Sequence, residues 1–345
     1  MVETTLINVT LYTREDCKLC DEVRNHLKSL QKKFPHRLAE VNIDSDPTLQ
    51  KAYFNQIPVV EVGPYKLKAP ITKQSLEMTL GAASDRRGQM TKVGGEEYQE
   101  SVRKGQTIAG GDSIYFWISR HYLAMLNLIV FIYVGLPFLA PTLLKINAVA
   151  PARLIYTMYS PLCHQFGFRS FFLFGEQPYY PLKEAGLVNI KTFDQITGLT
   201  DLANPFSISR LSARQFTGDP MVGYKVALCE RDVAIYGAIV LFGLIYSLTN
   251  RRLPQLHWIA WILIGLGPIG LDGFSQLFSQ FNWPWLAQYL PYRESTPFLR
   301  VFTGFLFGFT TAWFAYPNIE ESMRETRQFF IKKFAVAKSI SSATK

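Results

Sequence analysis

Charge is missing from much of the second half of this chain. Between His121 and Ile319 four long windows contain no Asp, Glu, Lys or Arg, which excludes a wholly water-soluble protein. Cysteine is also scarce: four in 345 residues are too few and too scattered for a disulfide scaffold, so each is read by its neighbours. No basic stripe interleaved with aromatics is present. The net charge of +9, from 36 Lys and Arg against 27 Asp and Glu, therefore does not point to nucleic acid, and much of the excess flanks the apolar windows, which suits lipid phosphate. The chain opens without a basic segment leading into an apolar one, so its first hundred residues are expected to stay in the cytoplasm.

The first part is charge-rich and mixed. Leu6 to Tyr12 alternates as a strand does and runs into a loop ending Cys17-Lys18-Leu19-Cys20. From Asp21 to Leu30 the apolar residues Val23, Leu27 and Leu30 recur at helical spacing, with Asp21 and Glu22 in the first turn. Strands are expected at Arg37 to Ile43, Ile57 to Val62 and Tyr65 to Leu67, a helix at Pro47 to Phe54, and a last helix capped by Thr72 and reaching Leu80. The order βαβαββα is that of an α/β thioredoxin-like domain over residues 1–81. A thiolate at a helix N-terminus is stabilised by free amide groups and the dipole, so Cys17 is expected below the free thiol value of about 8.5. Cys20, one turn later, is placed to resolve a mixed disulfide on Cys17. Half of a zinc site or two inert thiols are the alternatives, but a zinc site needs about four ligands, and beyond the two cysteines the domain's histidines are His26 and His36.

The strand ending in Tyr12, the Cys17–Cys20 motif opening a helix and Ile57-Pro58 before a strand together resemble a glutaredoxin-like protein. The resemblance implies catalytic roles for Cys17 and Cys20 and a cis Pro58 facing them. Dithiol exchange of this kind requires no cofactor. Lys18-Leu19 replaces the usual Pro-Tyr, and Val62-Gly63-Pro64 lacks the paired glycines that help hold glutathione, so glutathione and thioredoxin both stay open as reductant.

Residues 82–120, glycine-rich and charged, read as a flexible or partly helical linker. His121 to Leu144 is a charge-free run of 24, enough to cross about 30 Å of hydrocarbon. Further spans are expected at Val226 to Asn250, Leu253 to about Phe281 and Pro297 to Pro317. The result is an all-α transmembrane bundle of about four spans over 121–320, followed by a basic tail at 321–345. Leu154 to Phe174 is expected in the membrane interface or re-entrant, and Pro178 to Pro220 as an exposed loop or small cap. Arg251-Arg252 and the tail cations Arg324, Arg327, Lys332, Lys333 and Lys338 put the tail and the head in the cytoplasm. A prokaryotic plasma membrane is the expected location. Trp258, Trp261, Trp283, Trp285 and Trp313 read as interfacial anchors or packing.

The spans carry polar groups at one expected depth: Cys163, His164, Gln165, Arg169, Cys229, Arg231, Asp232, Asp272, Gln276, Glu294 and Arg300. An unpaired charge in a bilayer costs at least about 2.5–3.5 kcal/mol, so Arg231 and Arg300 are expected to pair with Asp232, Asp272 or Glu294. Gly304 and Gly308 leave room for a neighbouring helix. Cys163-His164-Gln165 with Arg169-Ser170, Cys229-x-Arg231-Asp232, Asp272-Gly273-x-x-Gln276 and Glu294-Ser295 resemble a family of predicted membrane proteins of unknown function. Members often carry a further cysteine where Asp232 stands; this chain departs from that pattern, and with only Cys163 and Cys229 in this part a cluster of three thiolates is excluded.

For Cys163 and Cys229 four readings stay open: a structural disulfide, a redox pair, metal thiolates with His164, or inert thiols. The ionic groups are either a site or a network holding helices together. Three functions follow. The first is a membrane-tethered thiol-disulfide oxidoreductase whose partners are the bilayer and a thiol or disulfide protein or glutathione. The second is an intramembrane enzyme or a metal- or lipid-binding protein at the outer leaflet, and the third a non-catalytic carrier whose dithiol senses redox state.

Overall fold

The computed structural model describes residues 6–280, 289 and 291–343. Two compact units emerge, one of Met1–His121 with Glu321–Lys345 and one of Tyr122–Glu320. Phe281, Trp283 and Trp285 lie outside the described residues.

The first unit holds a four-stranded sheet in the order β2-β1-β3-β4, made of β1 (Ile7–Thr13), β2 (His36–Asn42), β3 (Val59–Val62) and β4 (Tyr65–Lys68). β1 pairs parallel with β2 and antiparallel with β3. Helices α1 (Lys18–Leu30) and α3 (Lys73–Gln106) cover one face, and α2 (Pro47–Tyr53) the other. Alternation along the strands decides which residues meet which helix: Val9, Leu11, Val60 and Val62 pack with Val23, Leu27, Leu76 and Leu80, whereas Tyr12 and Val59 pack with Leu49 and Tyr53. Thr72 caps α3 as expected, accepting from the Ser75 N–H at 3.1 Å.

Two stretches are more regular than the sequence alone required. The expected linker is helical as far as Gln106, and the next helix, α4 (Asp112–Lys145), begins soon after. No proline interrupts residues 73–106. Glycines weaken a helix by about 1 kcal/mol each without stopping it, and only Gly95, at φ +49°, leaves the helical path. The basic tail is likewise helical and is part of the folded head unit. There Lys332 pairs with Glu61 at 2.8 Å and Lys333 with Asp112 at 2.7 Å, while Ile331 and Ala335 pack on the Tyr12–Tyr53 cluster.

The second unit is mostly helical. After α4 come α5 (Val149–Tyr159), α6 (Phe193–Thr197) and α7 (Ile208–Gln215), then α8 (Glu230–Leu248), α9 (Trp258–Gln280, with a π-helical turn at Trp261–Leu266) and α10 (Pro297–Ala343). Among the described residues four helices, α4, α8, α9 and α10, are long and apolar enough to cross a membrane. The all-α reading lacked a three-stranded antiparallel sheet, in the order β5-β7-β6, of β5 (Ser170–Leu173), β6 (Gly218–Asp219) and β7 (Gly223–Cys229).

Accordingly, the second span starts at Glu230 and not at Val226, and the stretch expected in the interface or re-entrant is α5 followed by β5. A short apolar run such as Val226–Leu228 has the same composition whether it opens a helix or fills a buried strand. The stretch expected as a loop or small cap wraps a core of its own, in which Tyr180, Leu182, Phe193, Leu202 and Ala213 pack against Phe168 and Phe172.

Helices α8 and α10 touch backbone to side-chain position at two glycines. A Cβ on Gly308 would sit 2.1 Å from the Ile235 carbonyl oxygen, and one on Gly304 2.8 Å from that of Arg231. Both obstacles are backbone, which cannot rotate away. Gly308→Ala is therefore expected to force the helices apart and destabilise this unit by about 1–3 kcal/mol, read as a fall in the thermal midpoint in detergent. An unchanged midpoint would show that the contact carries no packing.

Candidate functional site

In the head, the chain leaves β1 and turns into α1 at Cys17. Cys17 is the helix N-cap, its Sγ accepts the Cys20 N–H at 3.3 Å, and it is disulfide-bonded to Cys20. Cys20 is fully buried under the sheet, while Cys17 is half-buried between an open loop and exposed Lys18 and Leu19. The two sulfurs are thus unequal: an outside reagent reaches Cys17, and Cys20 can reach only Cys17. Arg24, one turn further, is held by Asp21 and Glu40 and is not a counter-ion for the thiols. Pro58 is buried and follows a cis peptide bond. His36 contacts the Phe34 carbonyl oxygen through Nδ1 at 2.7 Å.

In the second unit a cavity of about 270 Å³ is lined by Cys163, His164, Gln165, Arg169, Cys229, Arg231, Asp232, Gln276 and Arg300, together with Leu162 and Phe166. The loop after α5 supplies Cys163 to Phe166, the end of β7 Cys229, and the first turn of α8 Arg231 and Asp232. Cys229 and Asp232 are three apart across the start of a helix and so share a side. Cys163 and Cys229 are free thiols, and their donor atoms and an Asp232 oxygen all lie within 4.8 Å of one another. The contact between the two sulfurs pulls the Cys163 thiol down and, together with burial, pushes Cys229 up. His164 reaches the cavity wall but is exposed, and its ring stacks on Phe166.

Ion pairs surround this cavity. Glu294 accepts from Arg169 at 2.7 and 2.9 Å and also pairs with Arg300. Arg300 reaches Glu230 at 3.1 Å and the Phe168 carbonyl oxygen at 3.2 Å. Asp272 is clasped by Arg231, by Arg293 at 2.7 Å and by the Ser295 hydroxyl at 2.8 and 3.0 Å. The expected pairing of Arg231 and Arg300 with Asp272 and Glu294 is what the structure has. Asp232, offered as a third partner, is not one: among the described residues no Lys or Arg pairs with it.

Comparison with known proteins separates the same two parts. Residues 8–81 match a family described as a glutaredoxin-like domain (DUF836). Residues 210–314 match a family described as a predicted membrane protein (DUF2085). One chain thus carries a region similar to a glutaredoxin-like domain and a region similar to a predicted membrane protein. It is also similar to the uncharacterized protein MJ1492 of Methanocaldococcus jannaschii, 24% identical over 209 residues that cover 58% of this chain and 93% of that protein. No solved structure matches it. A glutaredoxin-like domain with a Cys17–Cys20 disulfide, four apolar helices and the membrane-domain match fit a membrane-associated redox role.

Sequence reasoning missed Lys225, Glu230 and Arg293. Lys225 fell just outside the expected second span; it is fully buried in β7, its Nζ donating to the carbonyls of Gln165 and Arg214 at 2.7 Å each. Burial pushes its amine down to about 7, against a partial upward pull from Cys163. The unfolded lysine titrates near 10.4, so between about pH 7 and 10 the unfolded chain binds more protons and stability rises with pH. Lys225→Met is expected to lower stability, by leaving two carbonyls unpaired, and to flatten that rise. Thermal midpoints of both proteins across this pH window check it, and a rise of equal slope in the variant assigns the trend elsewhere.

Proposed function

We propose that the protein is a membrane-tethered thiol-disulfide oxidoreductase whose head carries the reaction. The carrying observation is the inequality of the two sulfurs, an accessible Cys17 at a helix N-cap beside a fully buried Cys20. The Cys17 thiolate attacks a partner disulfide, forming a Cys17–partner bond and expelling one partner thiolate, which takes up a proton. The Cys20 thiolate then attacks the Cys17 sulfur, forming the intramolecular disulfide and releasing the second partner thiol. The partner gains two electrons and the head loses two. A small thiol or a dithiol protein, of the glutathione or thioredoxin class, returns them by the reverse steps.

Membrane attachment concentrates this exchange at a surface. The positive-inside bias of Arg251-Arg252 and the tail, together with a head unit containing both the first 121 residues and the last 25, supports a cytoplasmic head at a prokaryotic plasma membrane and an even number of spans. The partners are then a cytoplasmic thiol or disulfide protein, or glutathione. The test uses the full chain in membranes: Cys20→Ala is expected to accumulate a mixed disulfide on Cys17 that reductant releases. If neither the native protein nor this variant exchanges with glutathione disulfide or a protein disulfide, the proposal is lost.

A further inference from the structure

The second unit carries a donor set unrelated to the head chemistry. Its acidic groups Glu230, Asp272 and Glu294 are each neutralised by arginine. Asp232 alone faces two thiols instead, with the carboxylate and both sulfurs within 4.8 Å of one another. A carboxylate oxygen and two sulfurs gathered on one wall of the cavity form a mixed donor set of the kind that binds a metal ion.

We propose that Cys163, Cys229 and Asp232 form a binding site for a zinc-like divalent cation, held by two thiolates and one carboxylate with a fourth position open to the cavity. Zinc takes sulfur at about 2.3 Å and carboxylate oxygen at about 2.0–2.2 Å, so tetrahedral donors lie about 3.5–3.8 Å apart. From separations of at most 4.8 Å, the set needs to close by no more than about 1.3 Å to meet that geometry. Three protein ligands and one open position are the pattern of exchangeable or catalytic zinc, not of a closed structural site. All three ligands line the cavity, and Arg169, Arg231 and Arg300 line it with them. The open position therefore takes water or an anionic oxygen ligand. Two thiolates with one carboxylate disfavour magnesium and calcium, which take oxygen donors.

The pairing also explains the hydrogen-bond setting of Cys163. The Gln165 backbone N–H donates to its Sγ at 3.5 Å, while the Gln165 side-chain Nε2 donates to the carbonyls of Tyr156 and Ala227 at 3.0 and 3.1 Å and pins this loop. A backbone N–H donor to sulfur is the kind of outer support that metal thiolates use.

Cobalt(II) titration of the reduced full-length protein in detergent tests the proposal. The expected result is about one tightly bound cobalt per chain with the thiolate-to-metal charge-transfer band and the visible bands of a tetrahedral ion, displaced by zinc. The band is expected to vanish in Cys163→Ser and Cys229→Ser, to shift with at least about tenfold weaker binding in Asp232→Asn, and to persist in the Cys17→Ser/Cys20→Ser protein. That last arm separates this site from the head chemistry. Should a serine variant fail to fold, alkylation of the native protein decides: zinc is expected to protect Cys163 and Cys229 together. Cobalt binding without a thiolate band, loss of the band in the head variant, or equal alkylation of both thiols with and without zinc would overturn it.

Discussion

Replacing Cys17 by serine is expected to reduce disulfide-exchange activity of the full-length protein to the uncatalysed background, whereas Cys20→Ala keeps the first step and loses turnover on protein disulfides. The asymmetry follows from access. A serine hydroxyl at the N-cap keeps the cap hydrogen bond that the Cys17 sulfur makes with the Cys20 N–H, so the fold persists while the nucleophile is gone. Serine is not ionised near neutral pH, and the weak nucleophile it leaves has no base beside it. Cys20 is fully buried and cannot take over, because an external disulfide must reach the attacking sulfur directly. Insulin reduction and trapping of a glutathione mixed disulfide, measured side by side for the native protein, Cys17→Ser and Cys20→Ala, give the readout. Residual turnover in Cys17→Ser above the rate of free thiols would assign the activity to another pair, and Cys163 with Cys229 is the next to examine.

The head was legible because its signals are local. Strand alternation around Val9 and Leu11, the helix register of Val23, Leu27 and Leu30, and the cap at Thr72 each depend on a few neighbouring residues. The spans were legible for a different reason, since hydrocarbon forbids unpaired charge over a run of about 20 residues. What failed was long-range or depended on a boundary. β7 could not be told from the start of α8 by composition, and placing that boundary at Val226 hid Lys225 one residue away. Glu230 stands at the unspecified position of Cys229-x-Arg231-Asp232, yet it completes the Arg300 pair. Arg293 and Ser295 reach Asp272 from more than 20 residues away, a contact that no spacing rule carries. The polar groups of the spans were identifiable as a set, because each is costly there, but which acid answers which arginine is decided only by the packing of α8, α9 and α10. Asp232, expected to serve an arginine, faces two thiols for that reason.

The buried ion network gives the second large effect. Glu294→Ala is expected to destabilise the membrane-domain unit by about 3–5 kcal/mol, since it strands two arginines whose charges have already left water. The Glu294 side chain is fully buried and Arg300 nearly so, at 0% and 3% exposure. Arg169 grips the same carboxylate with two parallel hydrogen bonds, the arrangement in which arginine binds most strongly. Removing Arg169 alone is milder, because Glu294 then keeps Arg300. Burial pushes the Glu294 carboxyl up, but Arg169 and Arg300 outweigh it and hold it below the usual carboxylate range. A group depressed in the folded state stabilises fully above its unfolded value of about 4.3 and loses that contribution as pH falls through the folded value. The native protein is thus expected to weaken below about pH 4, and Glu294→Ala to be weak already at neutral pH with a flatter acid limb. Thermal midpoints in detergent from pH 3 to 7 separate the two. A Glu294→Ala protein as stable as the native one at pH 7, or one with the same acid dependence, would mean that the arginines find other counter-charges and that this carboxylate does not hold the helices together.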